Sequence, residues 1–276
     1  LVPAHFLPRA AGLNQSLLGI MTVGAAPLGA LAMSLMPVGW ALAIDVITAL
    51  LGIAPLLLFP TPQPPTNPGA RRSLWREFRE GVSAIWQRPG LRQLYSLMTA
   101  AIFLVMPLFT LVPLLVKTHF GGGAGQVALF EGLSGLGMIA GGALMAALAP
   151  RRQVPWILWG FAASSLAIAL TALAPGHQLW LGMLCWAISG ITFTIGNAPF
   201  MALLQSRVPN CLQGRVLSLL NTLTGLAAPL GLALATPLGQ AIGARWLFVT
   251  LGTAGALAIL PGLASQALRK LDHPSP

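Results

Sequence analysis

Eight uninterrupted apolar stretches, each more than twenty residues long, dictate what this chain can fold into: 13–35, 38–60, 94–116, 126–149, 154–174, 178–204, 214–238 and 244–267. An α-helix rises ~1.5 Å per residue, so ~20 residues cross a hydrocarbon core of ~30 Å. The stretches are continuous and do not alternate apolar with polar residues, which predicts helices and not barrel strands. Only 7% of the residues are charged, against roughly 25% in a soluble domain. The expected fold class is therefore an all-α polytopic membrane protein of about eight transmembrane helices.

The formal net charge of +10 would point to nucleic acid if it formed a stripe on a soluble surface. Here the basic residues lie between the spans. Numbering the connections alternately by side, one side receives Arg9, Arg71, Arg72, Arg76, Arg79, Arg88, Arg92, Arg151, Arg152, Arg207, Arg215, Arg269 and Lys270, and the other only Lys117 and Arg245. Thirteen against two predicts that both termini and residues 61–93 are cytoplasmic. A bacterial inner membrane is the expected location. The chain opens on LVPAHF, with neither a charged leader nor an initiator Met, and so reads as a piece starting mid-protein or as a short form.

The sharpest change in composition falls at 61–93, where TPQPPTNPG precedes RRSLWREFREGVSAIWQRPGLRQ. The proline-rich part predicts an extended linker. Leu74, Phe78, Val82 and Ile85 then recur at helical spacing, with Trp75 and Trp86 alongside, predicting a basic amphipathic helix at the cytoplasmic interface. Within the spans, GLSGLGMIAGGALMAAL (132–148) is densest in small residues. Gly137 and Gly141 stand at the spacing that lets helix backbones approach closely in lipid. Gly135, Gly137 and Ala140 also fit a GxGxxA dinucleotide fingerprint, but that motif needs a preceding strand in a soluble βαβ unit, so packing is the reading taken.

The string AAPLG occurs at 25–29 and again at 227–231, and its flanks repeat too: VPAHFLPRA at 2–10 and VPNCLQGRV at 208–216. Each copy is a cytoplasmic connection followed by a span, and the copies lie six spans apart. Two similar six-helix halves would give that distance. On this reading residues 1–60 are the last two helices of one half, 61–93 the central loop, and 94–276 the second half with a short cytoplasmic tail.

These features together resemble the major facilitator superfamily. More narrowly, RAAGLNQS (9–16), the Asp in ALAIDVITALLG (41–52), EFREGVSAIWQRPGLRQL (77–94) and QSRVPNCLQGRVLSLLNTLTGLAAPLG (205–231) resemble the branch that includes the enterobactin exporter and macrolide efflux proteins. The resemblance covers essentially the whole chain and implies helices five to twelve of a twelve-helix fold, with helices one, two and four, which line the family's cavity, not represented. The GPxxGG motif such antiporters carry in helix five reads APLGAL here (26–31), and the basic motif between helices eight and nine is reduced to Arg151 and Arg152.

No catalytic constellation, phosphate loop or metal set is present: His5, His119, His177 and His273 are scattered in connections, and Cys185 and Cys211 form no framework. An enzyme, a cofactor and a metal are not expected. Ionisable and amide groups inside spans are costly and are the default functional candidates. Glu131 lies about 8 Å into its span by helical rise. The resemblance places that span against the cavity, so Glu131 is a candidate for proton or substrate binding; the alternative is that it reaches to the outer interface near Lys117. Asp45 is assigned a structural or gating role. Asn197, just before Pro199 and an expected kink, and Asn221, like Gln205, either line a substrate path or bond between helices. Pro27, Gly29, Pro229 and Gly231 of the repeated motif are structural or gating candidates, and Arg215, the counterpart of Arg9, is expected to pair with a helix end or carboxylate. Phe103, Phe109, Phe161, Phe193 and Phe200 offer apolar surface for a hydrophobic cargo or serve as packing.

The function implied is secondary active transport, with proton-coupled efflux of a small hydrophobic or siderophore-like molecule by alternating access. The expected partners are the lipid bilayer, a small-molecule substrate and the proton, with no nucleic acid. A second reading is a truncated, non-transporting membrane protein that acts as a scaffold or partner.

Overall fold

The structure, a computed structural model, describes residues 13, 16–21, 23, 24, 28, 36–58, 79, 82, 83, 85–208 and 210–272. Among them the long elements are α1 (Val38–Leu58), α2 (Pro89–His119), α3 (Ala124–Leu148), α4 (Val154–Leu173), α5 (Leu179–Arg207) and α6 (Asn210–Ile259). Residues 16–21 of the first apolar stretch are also helical. A short tail follows: a 3-10 helix at Leu260–Ala264, α7 at Gln266–Arg269, and a last 3-10 turn at Lys270–Asp272. No strand occurs among the described residues. The second to eighth apolar stretches thus become helix where expected, and α2 to α6 are long and apolar enough to cross a membrane.

Local chemistry sets the boundaries. Proline begins α2 and lies in the first turn of α4, where its fixed φ suits the helix and its missing N–H costs nothing. Gly121, at φ +65°, turns the chain between α2 and α3. The two last stretches differ from expectation in being joined without a loop. They form one run, Asn210–Ile259, interrupted only at Gly243 (φ 83°, ψ 155°), a backbone conformation essentially confined to glycine. Pro199, where a kink is expected, lies inside α5 and is buried.

The most extensive helix contacts run as a row in the order α3, α5, α4, α6, α2, and α2 also touches α3 and α4. Two apolar cores fill it. One, toward the arginine-rich connections, gathers Leu94, Met98, Ile157, Phe200, Leu219 and Leu268. The other, toward the opposite ends, gathers Leu108, Val112 and Leu115 with Phe130, Trp186 and Phe248. The outer surface is itself apolar: Leu51, Leu234 and Leu257 are each about two-thirds exposed, as lipid-facing residues are. Val82 and Ile85 pack into the first core while Trp86 is half exposed, so the described part of the amphipathic segment has the two faces its spacing predicts. Its remainder, including Leu74, Trp75 and Phe78, lies outside the described residues.

Candidate functional site

The helices of the row are held at backbone distance by small residues. A β-carbon on Gly137 would stand 2.3 Å from the Ala187 carbonyl oxygen, one on Gly141 2.5 Å from that of Ile191, and one on Gly190 2.4 Å from that of Ser134. The α3–α5 seam is therefore closed along its length, as the small-residue spacing predicts. This is also what occupies the apparent dinucleotide fingerprint. Gly160 and Gly196 make a similar crossing between α4 and α5.

A second face of α3 meets the first apolar stretch. Gly135 approaches Gly19 and Val23, and the Ser16 hydroxyl donates to the Ile139 carbonyl at 3.4 Å. Glu131, Gly135 and Ile139 are successive i, i+4 neighbours and share this face. Glu131 is half-buried, one turn beyond the Gly19 crossing, and has no hydrogen-bond or ion-pair partner among the described residues. Space opens beside it, since a β-carbon on the adjacent Gly132 would meet nothing within 4 Å.

Asn197 is half-buried on α5 and Asn221 is exposed on α6; neither side chain has a partner among the described residues. The three polar candidates thus lie on three helices, and none of them lines the three cavities described below. Asp45 lies within α1. Gly231 allows α6 to press on α2, where its β-carbon would stand 2.4 Å from Pro107 Cγ; Pro229 is exposed. Pro27 and Gly29, the equivalent pair in the first copy, lie outside the described residues. Arg215 is half-buried and partnered.

The phenylalanines divide. Phe200 is buried core, in edge-to-face contact with Phe161. Phe161 also meets Phe193 edge-to-face at 5.6 Å, and these two, with Phe109 and Met106, line a narrow apolar crevice of about 20 Å³ between α2, α4 and α5. Ser164 and Ser165 border it, but their hydroxyls donate to the carbonyls of Ser189 and Phe161, leaving a greasy wall. Sequence reasoning missed two groups: the Trp186 indole N–H and the Thr194 hydroxyl are fully buried without a partner among the described residues. Their signal was a polar atom inside an apolar run, the rule that singled out Asn197. Of the histidines, His119 binds the Ala174 carbonyl at 2.8 Å, and no metal-capable cluster exists among the described residues.

The chain matches the Major Facilitator Superfamily over residues 1–232 and 108–276. It is 27% identical over 275 residues to macrolide efflux protein A of Streptococcus pyogenes, covering 99% of this chain and 68% of that protein. The corresponding protein of Enterococcus faecalis is 27% identical over 234 residues, 84% of this chain and 72% of its own length. The multidrug efflux pump Tap of Mycolicibacterium fortuitum is 28% identical over 195 residues, 70% of this chain and 47% of the pump. No solved structure matches significantly. An all-helical bundle of membrane-spanning length, closed by small residues and matched along its whole sequence, belongs to the Major Facilitator Superfamily.

Proposed function

We propose that this chain carries the export machinery of a secondary transporter that moves a small hydrophobic molecule out of the cell in exchange for protons. The observation that carries the reading is Glu131: a carboxylate inside a span, half-buried and without a partner among the described residues. A group so placed is costly unless it is used, and taking up a proton is the cheapest way to neutralise it. The efflux proteins named above support the direction of transport. Alternating access then consists of residues 1–60 and 94–276 rocking against each other, with the contact of residues 16–23 on α3 as part of the moving seam. The crevice faced by Phe109, Phe161 and Phe193 supplies apolar contact for the cargo. The arginine-rich connections face the cytoplasm of a bacterial inner membrane.

The test is accumulation of a fluorescent hydrophobic cation or a macrolide in cells expressing the full reading frame, with and without a protonophore. Reduced accumulation that the protonophore restores is expected; efflux indifferent to the proton gradient overturns the coupling. Modification of Arg92→Cys by an impermeant thiol reagent added outside the cell would overturn the orientation.

A further inference from the structure

At the arginine-rich end of the bundle lies a cavity of about 850 Å³, within the range of ligand pockets and far larger than any interhelical crevice described above. Its walls are the start of α2 (Arg88 to Leu91), Arg207 at the end of α5, and Gln266, Ala267, Lys270 and Leu271 of the tail. Among the described residues three cations line it and no carboxylate does. The nearest described acid, Asp272, borders a smaller adjoining cavity of about 280 Å³ with Arg151 and Arg207. One of its carboxylate oxygens accepts from the backbone N–H groups of Gln153 and Val154 at 2.8 and 3.0 Å.

The walls are built, not incidental. The Arg88 guanidinium donates to the Arg207 carbonyl, and the Arg207 guanidinium donates to the Leu271 carbonyl, so the connections that carry the charges are tied together. A β-carbon on Gly90 would lie 2.6 Å from the Ala267 carbonyl oxygen, which fixes the tail against the helix start. The first-turn N–H groups and positive dipole end of α2 add to the field of the cations. Leu91 is buried beneath, and apolar side chains of the spans begin within one turn. A cavity with a cationic mouth directly above apolar helix faces has the two-part character of a lipid of the cytoplasmic leaflet.

We propose that this cavity binds the phosphate of an anionic phospholipid headgroup, with Arg88, Arg207 and Lys270 around the phosphate. The proposal rests on the cytoplasmic orientation given above for its biological leaflet. Its test does not depend on orientation or transport, so the two readings fail separately.

The test is thermal unfolding of the purified full chain in neutral detergent, titrated with short-chain phosphatidylglycerol, phosphatidylcholine or inorganic phosphate. Phosphatidylglycerol alone should raise the unfolding temperature saturably. At about 1 kcal/mol per basic residue near an anionic lipid, Lys270→Gln should weaken binding about fivefold and Arg88→Gln with Lys270→Gln on the order of 30-fold. Arg152→Gln, exposed at the same end but lining neither cavity, should bind as the parent does. Because Arg88 also ties two connections, the Lys270→Gln variant carries the test if the double variant fails to fold. An equal response to phosphatidylcholine, or unchanged binding by Lys270→Gln, overturns the proposal. An equal response to inorganic phosphate overturns the lipid as the ligand.

Discussion

Gly19 and Gly135 meet face to face across the contact between the first apolar stretch and α3: a β-carbon on either would stand within 2.8 Å of the other's carbonyl oxygen. The repeat in the sequence assigns the first two predicted spans and the last six to different halves of a duplicated protein. In this contact residues from the two assignments touch, and the glycines let backbone meet backbone with Val23 and Ile139 packed beside them.

Gly135→Leu should therefore be destabilising where Gly132→Leu is not. The first would also strike Val23, 2.6 Å from its β-carbon, whereas nothing lies within 4 Å of the second. Overpacking of this kind costs about 1–3 kcal/mol, and thermal unfolding in detergent should separate the two variants. Equal behaviour would mean that the close crossing is not formed.

Glu131→Gln should leave the fold intact, because a half-buried carboxylate without a described partner contributes no bond to lose. The expected change in stability is within about 0.5 kcal/mol. Gradient-driven efflux should fall to the level of cells without the protein, with exchange of cargo across the membrane preserved. Wild-type efflux in this variant would remove Glu131 from the coupling.

Asp272→Ala should loosen the start of α4, since one carboxylate oxygen accepts from two first-turn N–H groups there. Losing a helix cap costs about 0.5–2 kcal/mol. Asp272→Asn, which keeps an acceptor, should recover part of it. Hydrogen exchange at Gln153 and Val154 reads the effect locally.

In the second copy of the repeated motif, Gly231→Ala should be harmful and Gly225→Ala neutral. The former would press on Pro107 of α2 and come within 3.1 Å of the Phe103 carbonyl oxygen; the latter meets open space. About 1–3 kcal/mol is again the expected penalty, measured by unfolding temperature and by the yield of monodisperse protein.

The spans were legible because length and continuous hydrophobicity are properties of the chain alone, and the Gly137 and Gly141 seam because close helix approach in lipid demands small residues at that spacing. Polar candidates were legible one at a time, as polar letters in apolar runs. Their mutual arrangement was not, since α5 packs on α3 and α4 stands between α5 and α6, pairings that the chain order does not give. The last two stretches read in sequence as two separate spans, and the single residue at positive φ that joins them, Gly243, could not be told from a short loop. The cationic cavity escaped for a related reason: Arg88, Arg207 and Lys270 are each unremarkable basic residues beside a span, and only packing of the tail on α2 unites them.

Gly243 joins the two limbs of α6 with no slack. Gly231 on one limb bears on Pro107, while Gly252 on the other lies 2.8 Å, by its absent β-carbon, from the Ser165 carbonyl oxygen. The two limbs of α6 thus each bear on a different neighbour, the first on α2 and the second on α4, and one glycine is the whole covalent link between those two contacts.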